Sequence, residues 1–200
     1  LTDMNQVLGW NAGHTLEVSE SIEYLINNKK NKRLETITNE LATSLLVMIK
    51  KINKNDALKK INDVINNGKA AEKFEKMVAA LGGPTKILTS YKSDLPKATY
   101  VNQIVPSKKG FIKSIQTRNL GLILIELGGG RKQINDKIDF SVGYENVSDV
   151  GSAVDTLTPL VTVHYSSKEV FEKVKSRIQS CFEISDDKID ELATTYEKIN

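Results

Sequence analysis

The densest chemical potential in this 200-residue chain sits in Gly128-Gly-Gly-Arg131-Lys132. Glycine backbones can approach a phosphate closely, and the two cations that follow can pair with it. The run is not a G-x-G-x-x-G fingerprint and lacks the Lys-Ser/Thr ending of a P-loop. The residues therefore favour a helix stop followed by a surface loop. Asp136 and Asp139 stand three apart in Asn-Asp-Lys-Ile-Asp, a spacing that does not define a catalytic dyad; a solvated turn is expected. His14 and His164 lie far apart with no metal-ligand spacing around them, and each reads as a hydrogen-bonded structural residue. Cys181 is the one cysteine, so no disulfide forms within the chain; a half-buried helix position is expected for it. No serine sits in a nucleophile-elbow context. Residue chemistry alone assigns no catalytic and no substrate-binding residue.

Composition narrows the class. Twenty-eight Lys and Arg against 25 Asp and Glu leave a net charge of +3, too small and too scattered to argue for nucleic acid. The basic run Lys29, Lys30, Lys32 and Arg33 reads as a solvated loop between helices. Aromatics make up 6%, too few for base-stacking platforms. A hydrophobic fraction of 40% suits a packed globular core. A single cysteine, no apolar run of membrane-span length and no targeting segment together predict a cytoplasmic protein.

The elements that must position these residues change character part-way along. Residues 15–26 place Val18, Ile22, Leu25 and Ile26 on one helical face, with Glu17 and Glu20 in the first turns. A second helix is predicted over 34–51, with Ile37, Leu41, Leu45 and Met48 as its stripe. A third begins at Asn55 as N-cap and is broken by Asn67-Gly68. A fourth spans 69–81, stopped by Gly82-Gly83. A short helical turn runs from Pro84 to about Tyr91. After Leu95-Pro96 come strand-like runs at 99–105, 110–116, 138–144 and 160–164. Residues 119–127 are ambiguous: Leu-Ile-Leu-Ile has strand propensity, whereas Thr117 could cap a helix that Gly128 ends. A helix over 168–182 follows, then a polar stretch read as a helix end and tail. Leu1-Thr2 reads as the end of a buried strand whose sheet would lie upstream. Helices first and a small β-rich module second predict an α/β remainder followed by an α+β domain, divided as 1–90 and 91–200.

Gly151-Ser-Ala-Val154-Asp-Thr-Leu-Thr-Pro-Leu160 resembles the end of a biotinyl or lipoyl hammerhead half, which suggests a barrel-sandwich-like shape. No lysine occurs between Phe140 and Pro159 to carry a cofactor, so the swinging-arm function is not expected.

Leu1-Thr-Asp-Met-Asn-Gln-Val-Leu-Gly9, followed by Ala12-Gly-His-Thr-Leu-Glu-Val-Ser-Glu20, resembles the pyrimidine-nucleoside phosphorylases, thymidine phosphorylases most closely, with Val7 in place of the usual proline. Three further stretches are similar to the family in the same order: residues 67–80, the run Gly128 to Gly143, and Pro159-Leu-Val-Thr-Val-His164. The resemblance covers residues 1 to about 180 and implies the last half of a longer chain: the end of an α/β domain and a whole C-terminal α+β domain. It also implies a helix over 119–127. The implied reaction is reversible phosphorolysis of thymidine. Uridine or another pyrimidine nucleoside is the alternative substrate, and a non-catalytic stand-alone binding module the alternative class. The family's phosphate segment, Lys-x-Ser-x-Gly-Gly, and its pyrimidine-binding residues have no counterpart here, so the fragment itself is expected to be inactive. One half-site carries over. The family binds a monovalent cation, usually potassium, and the motif puts ligands at the main-chain carbonyls of Leu8 and Asn11 and at the carboxylate of Glu20. No organic cofactor, nucleic acid or membrane partner is implied. The full-length enzyme is expected to be a homodimer.

Overall fold

The computed structural model describes residues 1–197 of the chain. It holds seven α-helices and two small antiparallel sheets among the described residues, an α+β architecture. Two compact units emerge: Val18–Leu95, and Leu1–Glu17 together with Pro96–Asn200.

The helical unit contains most of α1 (His14–Leu25), then α2 (Lys32–Lys50), α3 (Lys54–Asn66), α4 (Lys69–Ala80) and α5 (Ile87–Asp94). Two of these starts are capped by asparagine side chains. Asn31 Oδ1 accepts from the N–H groups of Arg33 and Leu34 at 2.9 and 3.0 Å, which caps α2. Asn53, not the expected Asn55, caps α3: its Oδ1 accepts from Asp56 N–H at 2.9 Å, which leaves Asn55 inside the first turn. Lys51 closes α2 in a left-handed conformation, φ 51°. Ile22, Ile87 and Tyr91 form one small core, and Tyr24, Ile61 and Ile65 a second. The stripe expected to bury α2 does so only at Ile37. Leu41, Leu45 and Met48 are exposed, because α3 packs against the adjacent face through Ala42 and Leu46.

In the other unit, β1 (Tyr100–Ile104), β5 (Val161–Tyr165) and β3 (Gly143–Glu145) form one sheet in the order β1-β5-β3. The second sheet runs β4-β2-β6, with β2 Gly110–Ile115, β4 Ala153–Val154 and β6 Phe182–Ser185. Helices α6 (Thr117–Leu124) and α7 (Lys168–Ser180) complete the module. Their apolar faces share one core with both sheets, where Ile112, Leu160, Val161, Val163 and Ile178 are fully buried. Each such side chain contributes about 2 kcal/mol relative to exposure. The ambiguous 119–127 stretch is helix, and it ends in a π-turn over Ile125–Gly129. Two expectations for this module change. The 138–144 strand shrinks to Gly143–Glu145, since the Asp139 side chain takes the Ser141 N–H that a ladder would use. The helix expected over 168–182 stops at Ser180, and Phe182–Ser185 is a strand paired with β2.

The first 15 residues are laced onto this β-rich module. Leu1 is not the buried strand end expected from its sequence; it is 63% exposed, and Thr2 makes only an isolated antiparallel bridge to Thr195. Asp3 is buried and accepts from Asn5 and from Tyr196 Oη. Gln6 Oε1 accepts from Val150 N–H, and Trp10 O from Val147 N–H. Ala12 and Tyr144 exchange both backbone hydrogen bonds, at 2.9 and 2.7 Å. At that crossing two glycines face each other. A Cβ on Gly13 would lie 2.7 Å from both Gly143 Cα and Val142 O, and Gly13 holds φ at +127°. The approach is open only to residues without a side chain.

Gly13→Ala should therefore lower stability by about 2 kcal/mol or more in urea denaturation followed by circular dichroism. Gly121, inside α6 with open space around it, supplies the contrast. Gly121→Ala should raise stability by up to about 1 kcal/mol.

Candidate cation half-site and glycine loop

Leu8 and Asn11 lie on the irregular segment just ahead of α1, in the β-rich unit. The Asn11 side chain is already committed to holding that segment. Its Nδ2 donates to Leu16 O at 3.3 Å, and its Oδ1 accepts from Asn146 N–H at 3.1 Å. Any part Asn11 plays toward an ion falls to its carbonyl. Gly13 N–H donates to Glu17 Oε1 at 2.8 Å, so Glu17 closes the first turn of α1. Glu20 belongs to the helical unit and is buried, 8% exposed. A carboxylate removed from water needs compensating partners, so this is not the solvated helix position that charge patterning alone suggests. Each of the three named groups offers oxygen, the donor type that suits a hard cation.

The glycine run forms a clamped loop. The π-turn ends with Gly128 at φ +107°, a conformation glycine adopts without strain. Asp139 N–H donates to Gly128 O at 2.9 Å, which brings the two ends of the loop together. His14 Nε2 donates to Gly129 O at 3.0 Å, and its ring stands edge-on to Phe140 at 5.0 Å. Between the clamps, Asp136 Oδ2 accepts from the N–H groups of Lys132 and Gln133, and Arg131, Lys132 and Ile134 face solvent. Glu126 leaves the π-turn to form a two-point ion pair with Arg177 at 2.9 and 2.8 Å, which holds its carboxyl below the ordinary value.

The two aspartates are thus separate backbone anchors and not a catalytic pair. Burial opposes ionisation of Asp139, but hydrogen bonds from the Ser141 hydroxyl, the Ser166 hydroxyl and Ser141 N–H together keep its pKa below the usual value. His164 pairs with Glu145 across β5 and β3 at 2.9 Å. Cys181 caps α7 and is 3% exposed; burial raises its thiol pKa, so it stays protonated and inert. An open cleft of about 200 Å³ lies beside it, lined by Asn119, Arg177 and Ser180 among others. That is smaller than ordinary small-molecule sites, and its arginine is already neutralised by Glu126. Sequence reasoning missed the anchoring roles of Asp139 and Glu17. Asp-x-Ser at 139–141 is an Asx-turn signal that could have revealed the first.

Residues 111–185 match the family model of the pyrimidine nucleoside phosphorylase C-terminal domain. This stretch is similar to the C-terminal domain of the pyrimidine nucleoside phosphorylases. The match begins in β2 and ends with β6, so it takes in the π-turn, the glycine loop, β3 to β5 and α7. Outside the matched residues, β1 pairs with β5, and backbone bonds tie the N-terminal segment that carries Leu8 and Asn11 to β3. Members of the family are pentosyltransferases. Among the described residues, no helix is long and apolar enough to cross a membrane.

If His14 latches the loop, His14→Ala should speed tryptic cleavage after Arg131 or Lys132 several-fold, read by mass spectrometry of timed digests, without loss of α-helical signal. Asp139 sets a pH dependence. Its folded pKa is depressed, so its stabilisation is complete above the unfolded value of about 4 and is lost as pH falls through the folded value. The stability gap between wild type and Asp139→Asn should be constant at neutral pH and should close below about pH 4 in thermal melts.

Proposed function

We propose that this chain is the C-terminal part of a thymidine phosphorylase-like enzyme of pyrimidine nucleoside salvage. The observation that carries the reading is the family match over residues 111–185, supported by the ordered motifs of the N-terminal segment. In the proposed reaction inorganic phosphate attacks C1′ of thymidine. The C1′–O bond to phosphate forms, the glycosidic C1′–N1 bond breaks, and thymine leaves with a proton on N1. Holding both substrates in a cleft that closes supplies proximity and excludes water. The Lys-x-Ser-x-Gly-Gly segment that would bind phosphate does not occur in these 200 residues, so the chain alone should not turn over. In the longer enzyme, assembled as a homodimer, this part acts as scaffold.

Leu8, Asn11 and Glu20 are the proposed potassium ligands on this side of the site. A bound potassium ion would supply positive charge beside the phosphate. The side-chain bonds of Asn11 keep its segment in place. Uridine phosphorolysis is the second reading, since the residues that would contact the base are not in this chain.

The deciding experiment is to sequence the gene upstream of the Leu1 codon. An in-frame Lys-x-Ser-x-Gly-Gly segment is expected; a stop codon followed by a fresh start beside Leu1 would leave the stand-alone binding module as the function. With the longer protein in hand, thymidine should be cleaved faster than uridine. Glu20→Ala should raise the potassium concentration needed for half-maximal activity by about tenfold or more with little change in melting temperature. That corresponds to about 1.4 kcal/mol of cation binding, and unchanged potassium activation would remove Glu20 from the ligand set.

A further inference from the structure

The segment after β6 returns to the first residues of the chain. Ile189 and Leu192 pack on the core of the β-rich module, and a Cβ on Gly151 would stand 2.9 Å from Ile189 O. Beyond them the backbone pairs with residues 1–3. Asp3 N–H donates to Thr194 O at 3.2 Å and Tyr196 N–H to Leu1 O at 2.9 Å, on either side of the bridge between Thr2 and Thr195. Tyr196 is 56% exposed, yet its hydroxyl reaches inward and donates at 3.0 Å to Asp3, which is 2% exposed. The same Asp3 oxygen accepts from the main-chain and side-chain amides of Asn5, at 3.2 and 2.6 Å. The Asn5 bonds are local and shape a turn. The tyrosine bond clasps that turn to a residue 193 positions away.

Leu8 and Asn11 lie between two anchorages. Downstream, the Asn11 side chain and the exchange between Ala12 and Tyr144 hold the backbone against residues 144–146. Upstream, Gln6 bonds to Val150, Met4 O accepts from Thr117 Oγ1 at 3.0 Å, and Asp3 accepts from Tyr196. A peptide unit is planar, so a carbonyl is aimed by the two residues that share its plane. The Asn11 carbonyl shares its plane with the Ala12 N–H, which is bonded to Tyr144 O. The Leu8 carbonyl shares its plane with Gly9, shortly after the Gln6 anchor. A ligand group loses affinity when the partner that orients it is removed, even with the ligand itself intact.

We propose that Tyr196 is a positioning residue for the potassium half-site: through Asp3 it fixes the upstream end of the segment that carries Leu8, while the crossing of Gly13 and Gly143 fixes the Asn11 end. The inference rests on the proposed cation reading of Leu8, Asn11 and Glu20 for its consequence.

Tyr196→Phe tests it, since the exposed ring stays and the hydroxyl goes. In the 200-residue chain, amide exchange read by NMR should quicken about tenfold at Asp3, Asn5 and Val150 and keep its wild-type rate at Ala12 and Tyr144. The residual dipolar coupling of Gly9 N–H, which reports the plane of the Leu8 carbonyl, should shrink, and that of Ala12 N–H should not. Thr195→Ala, at an exposed position of the same segment, should match wild type throughout. Unchanged exchange and couplings in Tyr196→Phe would overturn the proposal, as would a loss spread equally over both anchorages. In the longer enzyme, Tyr196→Phe should raise the potassium concentration for half-maximal activity about tenfold, with the rate at saturating potassium unchanged. If Glu20→Ala shifts that concentration and Tyr196→Phe does not, the positioning role falls and the cation reading stands. If neither shifts it, both fall.

Discussion

Two glycines facing each other, Gly13 and Gly143, allow the N-terminal segment to reach the β3 strand at backbone contact distance. A side chain on either would collide: on Gly13 with the β3 backbone, on Gly143 with Ala12 O and Leu16. With both absent, Ala12 and Tyr144 exchange two short backbone hydrogen bonds. The consequences spread outward from that contact. Asn11 bonds to Asn146 on one side, and on the other Thr15 N–H reaches Phe140 O and His14 reaches Gly129 O. The start of α1, the segment carrying the Leu8 and Asn11 carbonyls, and the glycine loop are thereby positioned against one small sheet.

Several carboxylates in this protein hold irregular backbone. Between α6 and β3 there are 18 residues without a strand ladder, counted from Ile125 to Val142. Their N–H groups still require acceptors. Asp136 and Asp139 supply them within the loop, Asp155 does so for Leu157 and Thr158 in the turn before β5, and Glu17 does so for Gly13. Multiple donors around one carboxylate depress its pKa, as they do at Asp139 and Asp155. A lowered carboxylate pKa here marks a well-satisfied acceptor and not a proton-transfer group. The same accounting explains why a shallow cleft with an arginine is a poor binding site: the guanidinium of Arg177 is already spanned by Glu126.

The helical unit follows a different logic. Its two cores are small, three buried residues each with partly buried neighbours, and they sit on only some faces of the helices. Hydrophobic periodicity in α2 exceeds what those cores consume. The equally periodic α7 differs: it buries its row at Phe171, Val174 and Ile178.

Local chemistry determined much of this protein directly. The apolar row of α1, the helices α3, α4 and α7, the Asn67-Gly68 and Gly82-Gly83 stops, and β1, β2 and β5 were all legible, because each depends on neighbours within one or two turns. The family resemblance rested on ordered motifs and was likewise readable in one dimension. Tertiary structure alone decided which rows are buried. Periodicity states that a face is apolar, but not whether another element arrives to cover it, and α2 received none on its Leu41–Ile49 side. It alone decided that residues 1–15 belong with strands 100 positions away, since a backbone approach across Gly13 and Gly143 leaves no pattern beyond two glycines. It also removed residues 138–142 from the expected strand, where the Asp139 side chain outcompetes a ladder partner for the Ser141 N–H. Of the proposed cation ligands, Glu20 lay on a periodic helix and was visible through its motif. Its burial was not, because burial is set by chain segments that the local sequence does not name.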